Sequence, residues 1–271
     1  MTTEGLLTLR GRFIAECELE LLEPLHIGRG RDPRQPIDLP ILRDAEGKPV
    51  IPGSTLKGFF RSYLARLLYG MKASGLNVLE FKGHRLDISG RIDSLVEQSN
   101  DLDSLDKLGL LDKIFGIAGR NFSFASTIIF TDANIVTMGN EFTEKRTHVS
   151  IDLVTDVAKP RMLVTIESIK EKINGKQTKF KFKIIYNELG DPRFKDANTL
   201  FYLLLLMLNK GIDTFLGGWK SRGYGYVRIK LCNLEWISIK DMILGNEPEK
   251  VNIEDLNSWI KNHIKVYENE N

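Results

Sequence analysis

From Arg12 to Leu21 the chain alternates: Phe13, Ala15, Cys17, Leu19 and Leu21 interleave with a second set that includes Arg12, Glu16, Glu18 and Glu20. Successive side chains of a strand point to opposite faces, so this segment reads as a strand with one apolar and one solvated face. The apolar face needs a covering layer. A helix signal supplies one: Leu56, Phe59, Phe60, Tyr63, Leu64, Leu67 and Leu68 recur at helical spacing behind Pro52-Gly53-Ser54-Thr55. A second apolar helix is expected over residues 196–210, closed by Gly211, and a last strand places Val227, Ile229 and Leu231 against Tyr226, Arg228 and Lys230. Between them residues 126–136 read as β-rich, and Asn174-Gly175 is a two-residue hairpin signal flanked by further strands.

The order strand, helix, strands, helix, strand with embedded hairpins implies an α+β fold with a ferredoxin-like, RRM-like core. Residues 1–240 hold that core. Within it, residues about 70–113 read as a partly helical insertion and residues about 137–161 as a projecting loop or hairpin. Residues 241–271 read as a C-terminal helical extension, capped by Asn252, with Ile253, Leu256, Ile260, Ile264 and Tyr267 on its buried side.

No long apolar run is present and the first residues lack the pattern of a secretory signal, so a cytoplasmic protein with no membrane partner is expected. The two cysteines, Cys17 and Cys232, are too few for a disulfide framework and read as buried thiols. The four histidines, His26, His84, His148 and His263, show no pairing at ligand spacing, which argues against structural zinc. The formal net charge is only +2, but it is unevenly placed: residues 241–271 carry −4 and residues 28–66 carry +4. That local excess suits a phosphate-rich ligand.

The start of the first helix inverts the usual electrostatics. A helix N-terminus favours acids, yet Lys57 falls in the first turn and Arg61 one turn later. Either an anion sits there or both bases are solvated side chains lying along an apolar helix. The turn at residues 217–225 combines Gly217, Gly218, Gly223 and Gly225 with Lys220, Arg222, Trp219 and Tyr224, and Tyr226 follows. It lacks the glycine that immediately precedes Lys-Ser/Thr in a phosphate-binding loop, and it leads into a strand. Such a turn can grip a ribose-phosphate backbone and stack bases, or can be a tight connection with buried aromatics. His26 is either a structural hydrogen-bonding residue or a catalytic one. Asp38, between Pro36 and Pro40, is a turn former or a carboxylate ligand for a hard divalent cation.

The run Pro24-Leu25-His26-Ile27-Gly28, then Ile37-Asp38-Leu39-Pro40-Ile41-Leu42-Arg43-Asp44, then Pro49-Val50-Ile51-Pro52-Gly53-Ser54-Thr55-Leu56-Lys57-Gly58 with Arg61 resembles the N-terminal signature of the RAMP proteins of type III CRISPR effector complexes, in particular their backbone subunit. The similarity continues in Ile114-Phe115-Gly116, in Phe130-Thr131-Asp132-Ala133, in residues 150–155 and in the turn 217–225.

The resemblance implies a core that assembles with copies of itself, and with other subunits of the complex, along a guide (CRISPR) RNA. A thumb within residues 137–161 would interrupt the duplex of guide and single-stranded target RNA. It implies endoribonuclease cleavage of the target with a divalent metal, Mg or Mn, through Asp38 as catalytic and metal-binding residue. The RNA-binding residues it implies are His26, Gly53, Ser54, Lys57 and Arg61, with Lys220, Arg222, Gly223 and Tyr224 in the glycine-rich turn. Residues 70–113 and the tail after Trp236 fall outside the resemblance, so a non-catalytic scaffold or end-cap subunit is the alternative. A guide-processing ribonuclease using His26 or His148 is a third reading.

Overall fold

The computed structural model describes residues 8–30, 37–81, 84–95, 97, 104–119, 122–152 and 154–269. The alternating segment forms β1 (Leu9–Leu21), and a loop leads to β2 (Val50–Ile51) and α1 (Gly53–Ala73). Next come the hairpin β3 (Val78–Phe81) and β4 (His84–Asp87), the short α2 (Leu110–Phe115) and the small pair β5 (Ile117–Ala118) and β6 (Ser123–Phe124). β7 (Ile128–Phe130) and β8 (Ala133–Ile135) lead into the long hairpin of β9 (Thr143–Ile151) and β10 (Ala158–Ile169). β11 (Lys172–Ile173) and β12 (Lys176–Gln177) meet at Asn174-Gly175, where φ is +52° and +77°, as a two-residue hairpin turn requires. β13 (Lys179–Leu189), α3 (Lys195–Lys210), β14 (Ile212–Phe215), β15 (Tyr226–Ser238), α4 (Ile239–Leu244), β16 (Glu249–Val251) and α5 (Leu256–Asn269) complete the described chain.

The main sheet runs β14-β15-β1-β13-β8-β2, with β7 also on β13 and β16 on β15, and its pairs are antiparallel. Register shows why one face carries the helices. Ala15 lies opposite Ile184, and Ile184 opposite Phe130, so Phe130 shares the buried face of β1. Phe60 of α1 stacks on Phe130 at 5.2 Å, while Phe13 meets Phe201 of α3 at 5.5 Å and Trp259 of α5 at 5.9 Å. These aromatic contacts clamp three helices to one side of the sheet. On the other side Glu16, Glu18 and Glu20 lie opposite Lys183, Lys181 and Lys179. Lys179 reaches Glu18 at 2.7 Å and Lys183 reaches Glu16 at 3.0 Å, the favourable cross-strand arrangement of opposite charges. The result is the α+β, ferredoxin-like core expected from the alternation.

Three details differ from expectation. Cys232 is exposed, because a bulge between Glu16 and Cys17 sets β1 against β15 so that Cys232 falls on the polar face while Cys17 stays buried. The segment 78–87 is a hairpin where only irregular and helical structure was expected. The third concerns Arg61, expected at an RNA phosphate. Its Nε lies 2.8 Å from Asp93 Oδ2, its Nη2 2.9 Å from Asp93 Oδ1 and 2.7 Å from Asp112 Oδ1, and its Nη1 donates to the Gly116 carbonyl at 2.8 Å. Asp112 is fully buried and also accepts from the amides of Gly109 and Ser94. The guanidinium fork is therefore consumed inside the protein, and Arg61 ties the segment after the hairpin to α1. Among the described residues no helix is long and apolar enough to cross a membrane.

Replacing Arg61 by Ala should leave two buried carboxylates without their cation and lower the unfolding free energy by about 3–5 kcal/mol, as when one partner of a buried pair is removed. Urea denaturation at neutral pH checks this, and a loss below about 1 kcal/mol, the range of an exposed pair, would show that the network does not anchor this segment.

Candidate RNA interface and catalytic loop

The loop that carries Asp38 is laid along the edge of β10. The Leu39 amide donates to the Thr165 carbonyl at 3.2 Å, the Glu167 amide donates to the Leu39 carbonyl at 3.0 Å, and the Thr165 amide donates to Asp38 Oδ2 at 2.9 Å. Asp38 is half-buried. Its neighbours Arg31 and Arg34 lie outside the described residues. Glu167, only 5% exposed, accepts from the Ile41 amide at 3.0 Å, from Arg43 Nη2 at 2.5 Å and from Thr143 Oγ1 at 3.1 Å. Burial pushes its carboxyl up, but the Ile41 amide and the Arg43 guanidinium outweigh burial and hold it below the usual carboxylate range.

His26 meets the same edge of β10 through its side chain. Its Nδ1 lies 2.7 Å from the Glu167 carbonyl, which can only accept, so Nδ1 carries the proton. The residue is 5% exposed, which makes it a structural hydrogen-bonding histidine and corrects its assignment to RNA. The glycine-rich turn packs on this segment: the Gly218 amide donates to the His26 carbonyl at 3.0 Å and the Gly225 amide to the Pro24 carbonyl at 2.7 Å. A Cβ at Gly217 would overlap the His26 carbonyl, and one at Gly225 the Leu216 carbonyl. These glycines thus serve close approach of the chain to itself, at positive φ.

The aromatics of the turn divide. Tyr224 is 2% exposed and its hydroxyl lies 2.9 Å from His148 Nε2, so it cannot stack a base, contrary to expectation. Trp219 takes φ +61°, a costly conformation for a non-glycine residue. It is held between partners: His148 stacks on it at 5.3 Å, and the Arg222 guanidinium lies 4.2 Å from its ring centroid. His148 belongs to β9, so the turn is joined to the β9–β10 hairpin partway along that strand. Thr147 beside it bonds Thr165, the residue whose amide holds Asp38.

Gly53 is also buried, with its amide donated to Asp132 Oδ1 at 2.7 Å. The carboxylate at the start of α1 is thus the chain's own Asp132, from the connection between β7 and β8. Ser54 is exposed and Lys57 half-exposed. Desolvation, with the nearby Arg61 charge, lowers the Lys57 pKa. Lys220, Arg222 and Gly223 are exposed. Lys220 is likewise lowered, by desolvation and then by Arg66. Among the described residues Lys57, Arg66, Lys220 and Arg222 have no acidic partner. A cleft of about 370 Å³ between α1 and the turn is lined by Phe59, Tyr63, Arg66, Phe215 and Lys220. Aromatic faces beside unpaired cations are what a single-stranded nucleic acid stacks on.

The sequence profile of the RAMP superfamily matches residues 18–228. The chain belongs to the RAMP superfamily. A protein of Methanocaldococcus jannaschii named CRISPR system Cms endoribonuclease Csm3 is 27% identical over 257 residues, covering 93% of this chain and 92% of that protein. A protein of the same name from Streptococcus thermophilus is 30% identical over 227 residues, covering 80% and 85%. Among solved structures, a chain of the type III-B Cmr-beta complex bound to cognate target RNA superposes with a TM-score of 0.53 at 13% identity, over 80% of this chain and 96% of that one. That likeness is one of fold.

Sequence reasoning missed Arg66, although its position seven residues after Phe59 and three after Tyr63 puts it on their stripe of this RAMP helix. It also missed Glu167, which carries no local signal because its partners lie far away in sequence, and the contact of Asp132 with Gly53, although the segment 130–133 was singled out.

Two measurements follow from this geometry. Replacing Lys57 and Lys220 together by Ala should weaken RNA binding for all sequences and flatten the plot of log affinity against log salt by about one unit per lysine; an unchanged slope would put the RNA elsewhere. Because the folded-state pKa of Glu167 is depressed, its contribution to stability is full above the ordinary glutamate value of about 4.3 and is lost as pH falls through the lower folded value. The gap in urea midpoint between the wild type and Glu167→Gln should therefore close on the acid side, and a gap independent of pH would contradict the shift.

Proposed function

We propose that this chain is a guide RNA-binding filament subunit of a type III CRISPR ribonucleoprotein, working with copies of itself and other subunits, and that it cuts the bound target RNA through Asp38. The observation that carries this reading is that Asp38 is fixed by the Thr165 amide, partway along the β9–β10 hairpin, while contacts run unbroken from Thr165 through Thr147 and His148 to Trp219 and Arg222. The carboxylate and the unpaired cations thus belong to one connected framework. Relatives named as endoribonucleases support the cleaving activity.

The guide backbone is held by Lys57, Arg66, Lys220 and Arg222, whose charges meet phosphates without reading sequence, and by the exposed Ser54, whose hydroxyl can donate to one. The hairpin is the thumb. Val149, Ile151, Val154, Val157 and Leu163 leave its surface apolar and exposed, suited to wedge between stacked bases and hold the target backbone bent at its root. That placement brings a ribose 2′-hydroxyl in line with its neighbouring phosphate, the geometry from which cleavage proceeds.

Asp38 fits a divalent ion of the Mg or Mn kind. One carboxylate oxygen is tied to Thr165, and among the described residues no group of three or more His, Cys, Asp or Glu side chains forms a resident cage. Hard ions are commonly held by one or two carboxylates with substrate phosphates and water completing the shell. When bound, such an ion supplies charge neutralisation at the reacting phosphate.

Asp38→Ala in the assembled complex should abolish single-turnover cleavage of labelled target RNA in Mg²⁺ or Mn²⁺ while leaving guide and target affinity, measured in EDTA, within about twofold, because a group acting on the transition state appears in the rate. Cleavage at the wild-type rate would make Asp38 a turn residue. Cleavage that persists in EDTA would instead favour histidine acid–base chemistry.

A further inference from the structure

Glu167 makes more connections than its place in a hairpin strand needs. Its backbone carbonyl takes the His26 ring and its backbone amide holds the Leu39 carbonyl. Its carboxylate gathers the Ile41 amide and Arg43 from the Asp38 loop and Thr143 from the first residue of β9. A buried carboxylate is expensive unless its oxygens are satisfied, and here the partners lie on both sides of the junction between loop and thumb.

We infer that Glu167 is a positioning residue for target cleavage: its carboxylate clips the Asp38 loop to the root of the thumb, so that the pose of the thumb sets the place of Asp38. The inference rests on the reading of Asp38 above. Without the clip, residues 37–40 keep their backbone bonds to Thr165 and Glu167, but residues 41–43 lose their side-chain anchors. Leu42 keeps its backbone bonds to Ile27 and Val50, so the loop stays in place but is no longer tied to β9 through Glu167. A displacement of about 1 Å at a reacting group costs on the order of a hundredfold in rate.

The contrast with an ordinary stabilising contact lies in the readout. A carboxylate that only held the fold would lower stability and assembly together, whereas a clip for Asp38 lowers the cleavage rate at saturating target and leaves half-saturation by target where it was.

The test uses the reconstituted ribonucleoprotein with Glu167→Gln, which keeps the volume, removes the charge and sets an amide NH₂ against one of the present donors. Single-turnover cleavage should fall at least tenfold at saturating target, with the half-saturating target concentration within twofold of wild type. Hydrogen exchange of peptides spanning residues 37–43 should speed up, while peptides of β1 stay unchanged. Glu167→Asp, which keeps the charge but shortens the reach, should recover part of the rate.

Should Glu167→Gln fail to assemble, Arg43→Gln removes one half-exposed arm of the clip and should give a smaller loss in the same direction. A full cleavage rate in Glu167→Gln beside an inactive Asp38→Ala overturns the clip alone. A full rate in Asp38→Ala overturns the reading of Asp38 and the inference with it. An equal rise in half-saturation and fall in rate would make Glu167 a part of target binding, which also overturns it.

Discussion

The edge of β10 between Thr165 and Glu167 is the interaction on which the candidate site depends. A strand edge offers unpaired amides and carbonyls at fixed spacing, and here they are spent on a loop rather than on another regular strand: Leu39 pairs with Thr165 and Glu167, and Asp38 takes the amide of Thr165. A loop built this way needs no secondary structure of its own to hold a carboxylate in place. It borrows the rigidity of a strand that ends in the body of the protein, where Leu25 and Ile169 exchange both backbone bonds. Because β10 is also half of the projecting hairpin, anything that displaces the hairpin is felt at Asp38.

Much of the scaffold was legible because it rests on periodicity. The alternation over residues 12–21, the helical stripe from Leu56 to Leu68, the apolar helix ending at Gly211 and the Asn174-Gly175 turn each encode their own geometry locally. The hairpin at residues 78–87 and the place of Cys232 were not legible. The first is short and polar, and the second depends on a bulge whose register is set between strands more than 200 residues apart. At the site, the structure joins the loop and the turn singled out in sequence through β9 and β10 and sets the turn against α1, while several of their side chains are taken up inside the chain. Arg61, Tyr224 and His26 have the chemistry of RNA-binding residues, and their partners, Asp93 and Asp112, His148, and the Glu167 carbonyl, come from segments that no local pattern links to them.

The glycines illustrate the same limit in another form. A run of glycine, base and aromatic is chemically apt for a ribose-phosphate backbone, yet Gly217 and Gly225 are required by carbonyls of the chain itself. Only Gly223, exposed and with no atom where a Cβ would stand, remains open to a ligand. On the proposed reading, what the turn offers to RNA is Lys220 and Arg222 on a rigid base, with Trp219 stacked on His148 and in contact with Arg222.

The charge of residues 28–66 sorts in the same way once partners are known. Arg43 and Arg61 neutralise Glu167, Asp93 and Asp112, acids that lie outside that window, so the local excess of +4 overstates what a phosphate can reach. Among the described residues of that window Lys57 and Arg66 remain without an acid, and across the cleft Lys220 joins Arg66 although it stands more than 150 residues away. The lowered pKa values of Lys57 and Lys220 express this crowding: each is partly desolvated and faces another cation. Lys220 and Arg66, held together without an acid among the described residues, destabilise the free protein, and a polyanion would relieve that repulsion on binding. The cost is carried by the buried pairs around Arg61 and Glu167, which hold α1 and the Asp38 loop in place against it.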